Sequence, residues 1–166
     1  MNLFDVKKYQ IPEPDEVDMK ATKKNFELFM SEYGSVREKI GKNRLPKMTQ
    51  SFGPASSTPH REYDSDAERF MIEREMFLPE FQELQNIFMS GYYAIANPTR
   101  DGGTERRRKI FILRYILGMN MNDVAERTFL GRTAVSEESK LGFIQFCHKT
   151  GLLITVIETE NLIKKN

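Results

Sequence analysis

The sequence predicts an all-α protein, because two helical stripes and several helix boundaries can be read along it. Apolar side chains recur at steps of three, four or seven over residues 70–95, which marks one face of an amphipathic helix. A second stripe of apolar residues at helical spacing covers residues 26–33. Capping residues and glycines then separate further helical segments toward residue 151.

Composition narrows the class of protein. The 166 residues suffice for one compact domain with extensions or for two very small ones. A single cysteine, Cys147, excludes an intrachain disulfide, and with His60 and His148 it supplies too few ligands for a Cys/His zinc site. The sequence contains no run of 18 apolar residues and no signal-peptide pattern, so we expect a cytoplasmic protein without a membrane partner.

The chain divides into five segments by composition and periodicity. Proline and charge in the first segment predict a loose arm, and the proline- and serine-rich part of the second predicts a strap after a helix that ends near Ile40. The segments are the arm 1–16, the N-terminal helix and strap 17–63, an acidic amphipathic helix 64–100, a C-terminal helical module 101–157 and a tail 158–166.

Two segments of this division contain a helix-breaking or an ambiguous signal. Pro79 lies within the acidic helix and predicts a kink or break near Leu78, because proline lacks the N–H donor and clashes with the preceding turn. Residues 152–157 are apolar and β-branched, a pattern that fits either a short strand or a packed tail.

The C-terminal module contains three predicted helices. Thr104 is a plausible N-cap for the first, which runs through Leu117 and ends at Gly118. Asn120 or Asn122 caps a short second helix that ends near Thr128. The third helix follows a turn at residues 129–131 and covers residues 132–150.

Charge is distributed unevenly between the two halves. Residues 62–90 carry eight acids and two bases, whereas residues 104–151 carry nine bases and five acids. The acidic part suits a solvated face or a protein partner, and the basic part suits a phosphate backbone.

The second and third helices of the module have the spacing of a helix-turn-helix, which needs a small residue in its first helix and aliphatic residues around the turn. Val124 and Ala125 occupy the first helix, and Leu130 and Val135 lie around and after the turn. Such a pair places its second helix in the major groove of double-stranded DNA. Phe129 stands where a turn glycine is usual, so we expect an atypical turn.

This register turns one set of polar side chains outward. Arginine can bind guanine or phosphate, hydroxyls can bind phosphate or base edges, and a glutamate can accept from cytosine N4. The predicted DNA-binding residues of this helix pair are Arg132, Thr133, Ser136, Glu137, Lys140 and Asn122.

Two charged clusters modify the prediction. Four cations open the preceding helix, where they are unfavourable to the helix dipole, so we assign this cluster to the DNA face as well: Arg106, Arg107, Arg108 and Lys109. Glu137 and Glu138 repel phosphates and limit how the last helix can dock. No nucleophile–base pair, metal site or cofactor motif is visible, so we expect no enzyme activity and no cofactor.

Three stretches resemble the ArpU family, the autolysin-regulator-like late transcription regulators of Gram-positive phages. They are residues 18–25, residues 46–52 and residues 106–115 with the following turn and Arg132-Thr133. The C-terminal part also resembles region 4 of sigma factors, a three-helix module with a helix-turn-helix. After Arg132-Thr133 this chain lacks the family's aromatic and basic residues, so a promoter sequence does not carry over.

The resemblance implies an activator of phage late genes that works with host RNA polymerase in the bacterial cytoplasm. The oligomeric state stays open, with a homodimer among the options. Two alternatives remain at this level. One is a phage DNA-packaging protein similar to a terminase small subunit, and the other is a protein that binds sigma factor or polymerase without binding DNA.

Overall fold

The computed structural model of the protein describes residues 10–41 and 66–163. Within these ranges the chain is all-helical, as the sequence predicts. The predicted strap and the first nine residues lie outside the described residues. The helices are α1 Met19–Lys39, α2 Asp66–Ala94, α3 Gly103–Phe111, α4 Met121–Thr128, α5 Arg132–Thr150 and α6 Val156–Ile163.

Two compact units divide the chain. Over their described residues, the first comprises Met1–Phe29 and Asn86–Asn166, and the second comprises Met30–Gln85. The start of α1 and the end of α2 therefore belong with the C-terminal helices.

An aromatic cluster forms the main core of the first unit. The ring of Phe26 on α1 meets Phe143 edge to face at 5.2 Å between centroids, and it meets Phe111 and Phe146 in the same way. Phe111 and Phe146 stack at 4.9 Å, and both are fully buried. Edge-to-face and offset-stacked pairs are the favourable ring geometries, so this cluster holds α1, α3 and α5 together.

A smaller apolar core joins α3, α4 and α5. Ile110, Leu113, Val124 and Val135 are buried in it. The partly buried residues packed against it are Met119, Met121, Ala125 and Leu130. The four aliphatic and small residues predicted to fasten the last two helices of the module all lie in this core.

A π-helical turn closes α3. Residues Ile112–Ile116 form it, and the N–H of Leu117 donates to the carbonyl of Ile112 at 2.9 Å. Gly118 follows with a φ of +65°, which suits glycine because it has no side chain. The predicted end of this helix at Gly118 is confirmed.

The predicted cap of α3 was wrong. The residue before α3 is Gly102, with a φ of +66°, and Thr104 lies inside the helix. The hydroxyl oxygen of Thr104 instead accepts from the N–H of Asn97 at 3.0 Å. Thr104 therefore fastens the loop between α2 and α3, because the left-handed Gly102 already starts the helix.

Of the kink or break predicted near Leu78, the break was wrong, since α2 runs continuously through Pro79. Packing on both sides of the proline accounts for this. The Lys39 ammonium lies 4.1 Å from the centroid of the Phe77 ring, and Tyr33 stacks on Phe81 at 5.9 Å. Tertiary contacts thus outweigh the loss of one helical hydrogen bond.

The C-terminal segment differs from the predicted tail. Residue Thr155 makes a single antiparallel bridge with Val17, and α6 begins at the next residue. The Asp18 carboxylate accepts from the N–H of Ala21 at 3.0 Å and from the Thr159 hydroxyl at 2.9 Å. These bonds lower the pKa of Asp18, the Ala21 bond most. Residues 152–163 are therefore ordered by contacts with the start of α1, which the apolar pattern did not reveal.

No helix within the described ranges is long and apolar enough to cross a membrane.

Candidate nucleic-acid interface

Asn120 starts α4, as predicted. Its side-chain oxygen accepts from the N–H of Asp123 at 3.0 Å, and its amide donates to the Asp123 carboxylate at 2.8 Å. The first bond satisfies one of the free N–H groups at the helix start. Asn122, the other candidate cap, is exposed within the first turn and leaves its side chain open to solvent.

The turn between α4 and α5 is built around Phe129. Its backbone is left-handed, with φ 54° and ψ 36°, and it is the only described residue other than glycine with a positive φ. The N–H groups of Phe129 and Leu130 donate to Glu126 and Ala125. Leu130 then packs against the small core, whereas the Phe129 side chain is 95% exposed.

α5 begins with an outward polar face. Gly131 precedes the helix in an extended conformation and offers no side-chain cap to the first N–H groups of α5. Val135 and Ser139 face the interior and are buried. The exposed residues on the other side, which we name the α5 face, are Arg132, Thr133, Ser136, Glu137 and Lys140.

Arg107 does not lie on a DNA-accessible surface, contrary to its assignment to the DNA face. Its side chain is buried, and its Nε donates to the Glu138 carboxylate at 2.6 Å. Its Nη1 donates to the Ala96 carbonyl at 2.6 Å. The helical fan of about 100° per residue points this arginine at α5, where it forms a structural ion pair.

Arg108 is also occupied within the protein. Its Nε donates to the carbonyl of Ile95 at 3.0 Å, and its Nη2 donates to that of Tyr93 at 2.9 Å. The guanidinium lies 5.4 Å from the centroid of the Tyr92 ring. Arg108 therefore fastens the end of α2 and has fewer donors left for a phosphate than its assignment to the DNA face assumed.

Arg106 and Lys109 point to the other side of α3. They line a shallow groove that we name the α3–α4 groove, and Lys109 Nζ donates to the Arg127 carbonyl at 3.3 Å. The groove residues are Glu105, Arg106, Lys109, Arg127, Thr128 and Phe129. Arg127 was not among the predicted site residues, since only the fold brings α3 beside the end of α4.

Glu138 is neutralised by its neighbours. Besides Arg107, it accepts from the side-chain amide of Asn97 at 2.9 Å. The expected repulsion between two glutamates and phosphate therefore reduces to Glu137, which is exposed. The signal for this pairing was present as a basic cluster and an acidic pair, but sequence alone does not show which charges meet.

The buried titratable groups near the aromatic core are inert. Burial raises the pKa of Cys147 to about 12, and it also raises the pKa of Tyr115. A thiol with so high a pKa is protonated at neutral pH and behaves as a core residue. Among the described residues, no three His, Cys, Asp or Glu side chains are grouped as metal ligands would be.

Comparison of the chain with protein-family models, with curated proteins and with solved structures finds no match.

Proposed function

We propose that this protein binds double-stranded DNA sequence-specifically through α4 and α5, which act as a helix-turn-helix similar to that of sigma region 4. One observation carries the proposal. All five predicted outward residues of α5 are exposed, while Val135 on the opposite side is buried in the core shared with α3 and α4. A helix fastened on one face and polar on the other is the arrangement that a groove-reading helix needs.

The chemistry of the α5 face suits a duplex. Arg132 follows the helix start, where the unpaired N–H groups add partial positive charge for a phosphate. Arg132 then binds guanine O6 and N7 or a neighbouring phosphate, and Lys140 takes a phosphate two turns later. Thr133 and Ser136 bond phosphate or base edges, and Glu137 accepts from cytosine N4.

The regulatory part of the proposal rests on the resemblance to the ArpU family. It assigns the protein to the activation of phage late genes with host RNA polymerase, in the cytoplasm of the bacterial host. The first half of α2 supports a protein partner, because Met71, Ile72 and Met76 are exposed there among acidic residues. Exposed apolar side chains with charged neighbours are typical of interaction surfaces.

The DNA-binding proposal is tested with a duplex selected by the protein from a random pool. We expect Arg132→Ala to weaken binding of this duplex by roughly 1–3 kcal/mol, because a bidentate arginine contact has this value. Fluorescence anisotropy measures the affinity. Arg74→Ala, which removes an exposed arginine from α2, is the matched control and should bind like the wild type.

The interaction-protein alternative predicts the opposite pattern. The exposed apolar residues of α2 favour this alternative, whereas the polar residues of the α5 face do not. Polymerase would then bind the protein, and no duplex would bind even at low salt, where phosphate contacts are strongest. Such a result would remove the DNA-binding proposal and leave the α2 surface as the functional one.

A further inference from the structure

Phe129 combines two features that are each unfavourable for the isolated protein. Its backbone is left-handed, a conformation that costs residues with a bulky side chain and that glycine adopts freely. Its ring is 95% exposed, so it gains nothing from burial. Nothing in the turn requires a phenylalanine, because Leu130 supplies the apolar contact with the core. Residues held in strained backbone conformations cluster at functional and ligand-binding sites.

The surroundings of Phe129 are mainly basic. The three cations Arg106, Lys109 and Arg127 line the α3–α4 groove with it, against one acid, Glu105. Glu126, on the last turn of α4, is a further exposed acid near the turn. An apolar ring among cations suits a ligand that presents phosphates beside apolar atoms, which describes the surface of duplex DNA.

The position of the ring relative to α5 favours the same ligand. Phe129 precedes Arg132 by three residues, so their Cα atoms are at most about 11 Å apart. The major groove is about 12 Å wide. A duplex that holds the first turn of α5 in its groove therefore has a base edge or a groove wall within reach of the ring.

We propose that Phe129 is a DNA-contact residue whose ring packs against an apolar feature of the duplex at the edge of the groove that α5 enters. The two apolar features there are the C5-methyl group of thymine and the carbon face of a deoxyribose. Arg106, Lys109 and Arg127 bind the adjacent phosphates. This inference rests on the proposed function, because it extends the same interface from α5 to the turn.

The test replaces Phe129 with the residue that its backbone favours. Phe129→Gly should fold with an unchanged or slightly higher Tm, since it removes the strain of the left-handed turn. Its affinity for the selected duplex should fall roughly tenfold, as expected when an aromatic anchor is lost. The slope of log K against log salt should stay unchanged, because no charge is removed.

Three further variants distinguish the loss of the ring from the backbone flexibility that glycine adds. Phe129→Asn also tolerates a left-handed backbone and should lose the same affinity, whereas Phe129→Tyr keeps the ring and should bind like the wild type. Ile157→Ala removes a similarly exposed apolar side chain from α6 and should leave affinity unchanged. If Phe129→Asn binds with wild-type affinity, the loss of affinity in Phe129→Gly comes from the flexibility of the turn. That result would overturn the proposal.

Deoxyuridine substitution identifies the apolar feature. If the ring meets a thymine methyl, one dT→dU change in the duplex lowers wild-type affinity about fourfold and leaves Phe129→Gly unaffected. If every such change acts equally on both proteins while Phe129→Gly still binds more weakly, the ring packs on deoxyribose.

Different results would overturn the role of Phe129 and the proposed binding of DNA by α4 and α5. Wild-type affinity in Phe129→Gly, in a protein that binds duplex through Arg132, overturns the role of Phe129 and leaves the proposed function intact. No duplex binding by the wild type at low salt overturns both.

Discussion

The sequence predicted that residues at the start of α5 and at the start of α3 both contact DNA. In α5 every predicted residue is exposed. In α3, four consecutive cations divide, with Arg107 buried, Arg108 bonded to the end of α2, and Arg106 and Lys109 facing the α3–α4 groove. The comparison shows that side-chain direction relative to the core decides what a cation does, and that a run of cations has no common role.

Arg107 and Arg108 turn away from the α3–α4 groove because the C-terminal end of α2 lies beside them. Helix termini leave carbonyl groups without helical partners, and the last turn of α2 contains no basic residue of its own. Arg108 donates to the carbonyl of Tyr93 in the last turn of α2 and to that of Ile95 directly after the helix. Arg107 donates to the carbonyl of Ala96 in the loop that follows. Two cations that are unfavourable at the start of α3 thus stabilise the negative end of α2.

The largest effect should come from Arg107→Ala. This change leaves the Glu138 carboxylate and the Ala96 carbonyl without their charged donor in a largely dry site, so we expect a loss of about 3 kcal/mol in the free energy of unfolding. Urea denaturation measures it. Arg106→Ala is the matched control, and an equal loss there would show that the two arginines do not differ as described.

Arg108→Ala should have an intermediate effect. Two hydrogen bonds to carbonyls and the contact with Tyr92 are lost, but the site is partly exposed, so the expected loss of stability is about 1 kcal/mol. The same denaturation experiment applies. A loss below the experimental error, combined with weaker DNA binding, would return Arg108 to the DNA face.

Glu137 and Glu138 are neighbours in sequence, and the structure predicts that their removal changes DNA affinity differently. Glu137→Gln removes an exposed negative charge from the α5 face and should strengthen binding of random-sequence duplex about twofold to threefold at low salt. Glu138→Gln should not strengthen it, because Arg107 already neutralises this carboxylate. Anisotropy below the melting range of both variants measures the difference, and equal gains would contradict the pairing.

The smallest effects should come from the outward cations of α3. Arg106→Ala and Lys109→Ala should each change stability by less than about 0.5 kcal/mol. Each should lower the slope of log K against log salt by about 0.9, the value for one lost phosphate contact. Unchanged slopes in both variants would confine the DNA face to α5.

Much of the C-terminal module could be predicted because its signals are local. Asn120 caps its own helix, Gly118 and Gly151 end theirs, and the spacing of Val124 and Val135 follows from one helical register. The outward residues of α5 followed from the same register. These features depend on residues within a few positions of each other, where sequence patterns are informative.

The rest depended on contacts between distant residues. Pro79 stays helical because of packing by residues of α1, and Arg107 is buried because Glu138 lies opposite it. Residues 152–163 take their structure from Val17 and Asp18, more than 130 positions away. Patterns along a single segment contain no information about such partners.

The most direct test of the central claim is an NMR titration of the ¹⁵N-labelled protein with random-sequence duplex at low salt. Non-specific binding, with a Kd of roughly 10⁻⁴–10⁻⁶ M at physiological salt, needs no known operator. We predict that amide shifts concentrate in residues 127–140 and around Arg106 and Lys109, while the Nε–H signal of Arg107 does not move. Shifts confined to α2, or absent from the start of α5, would contradict the account.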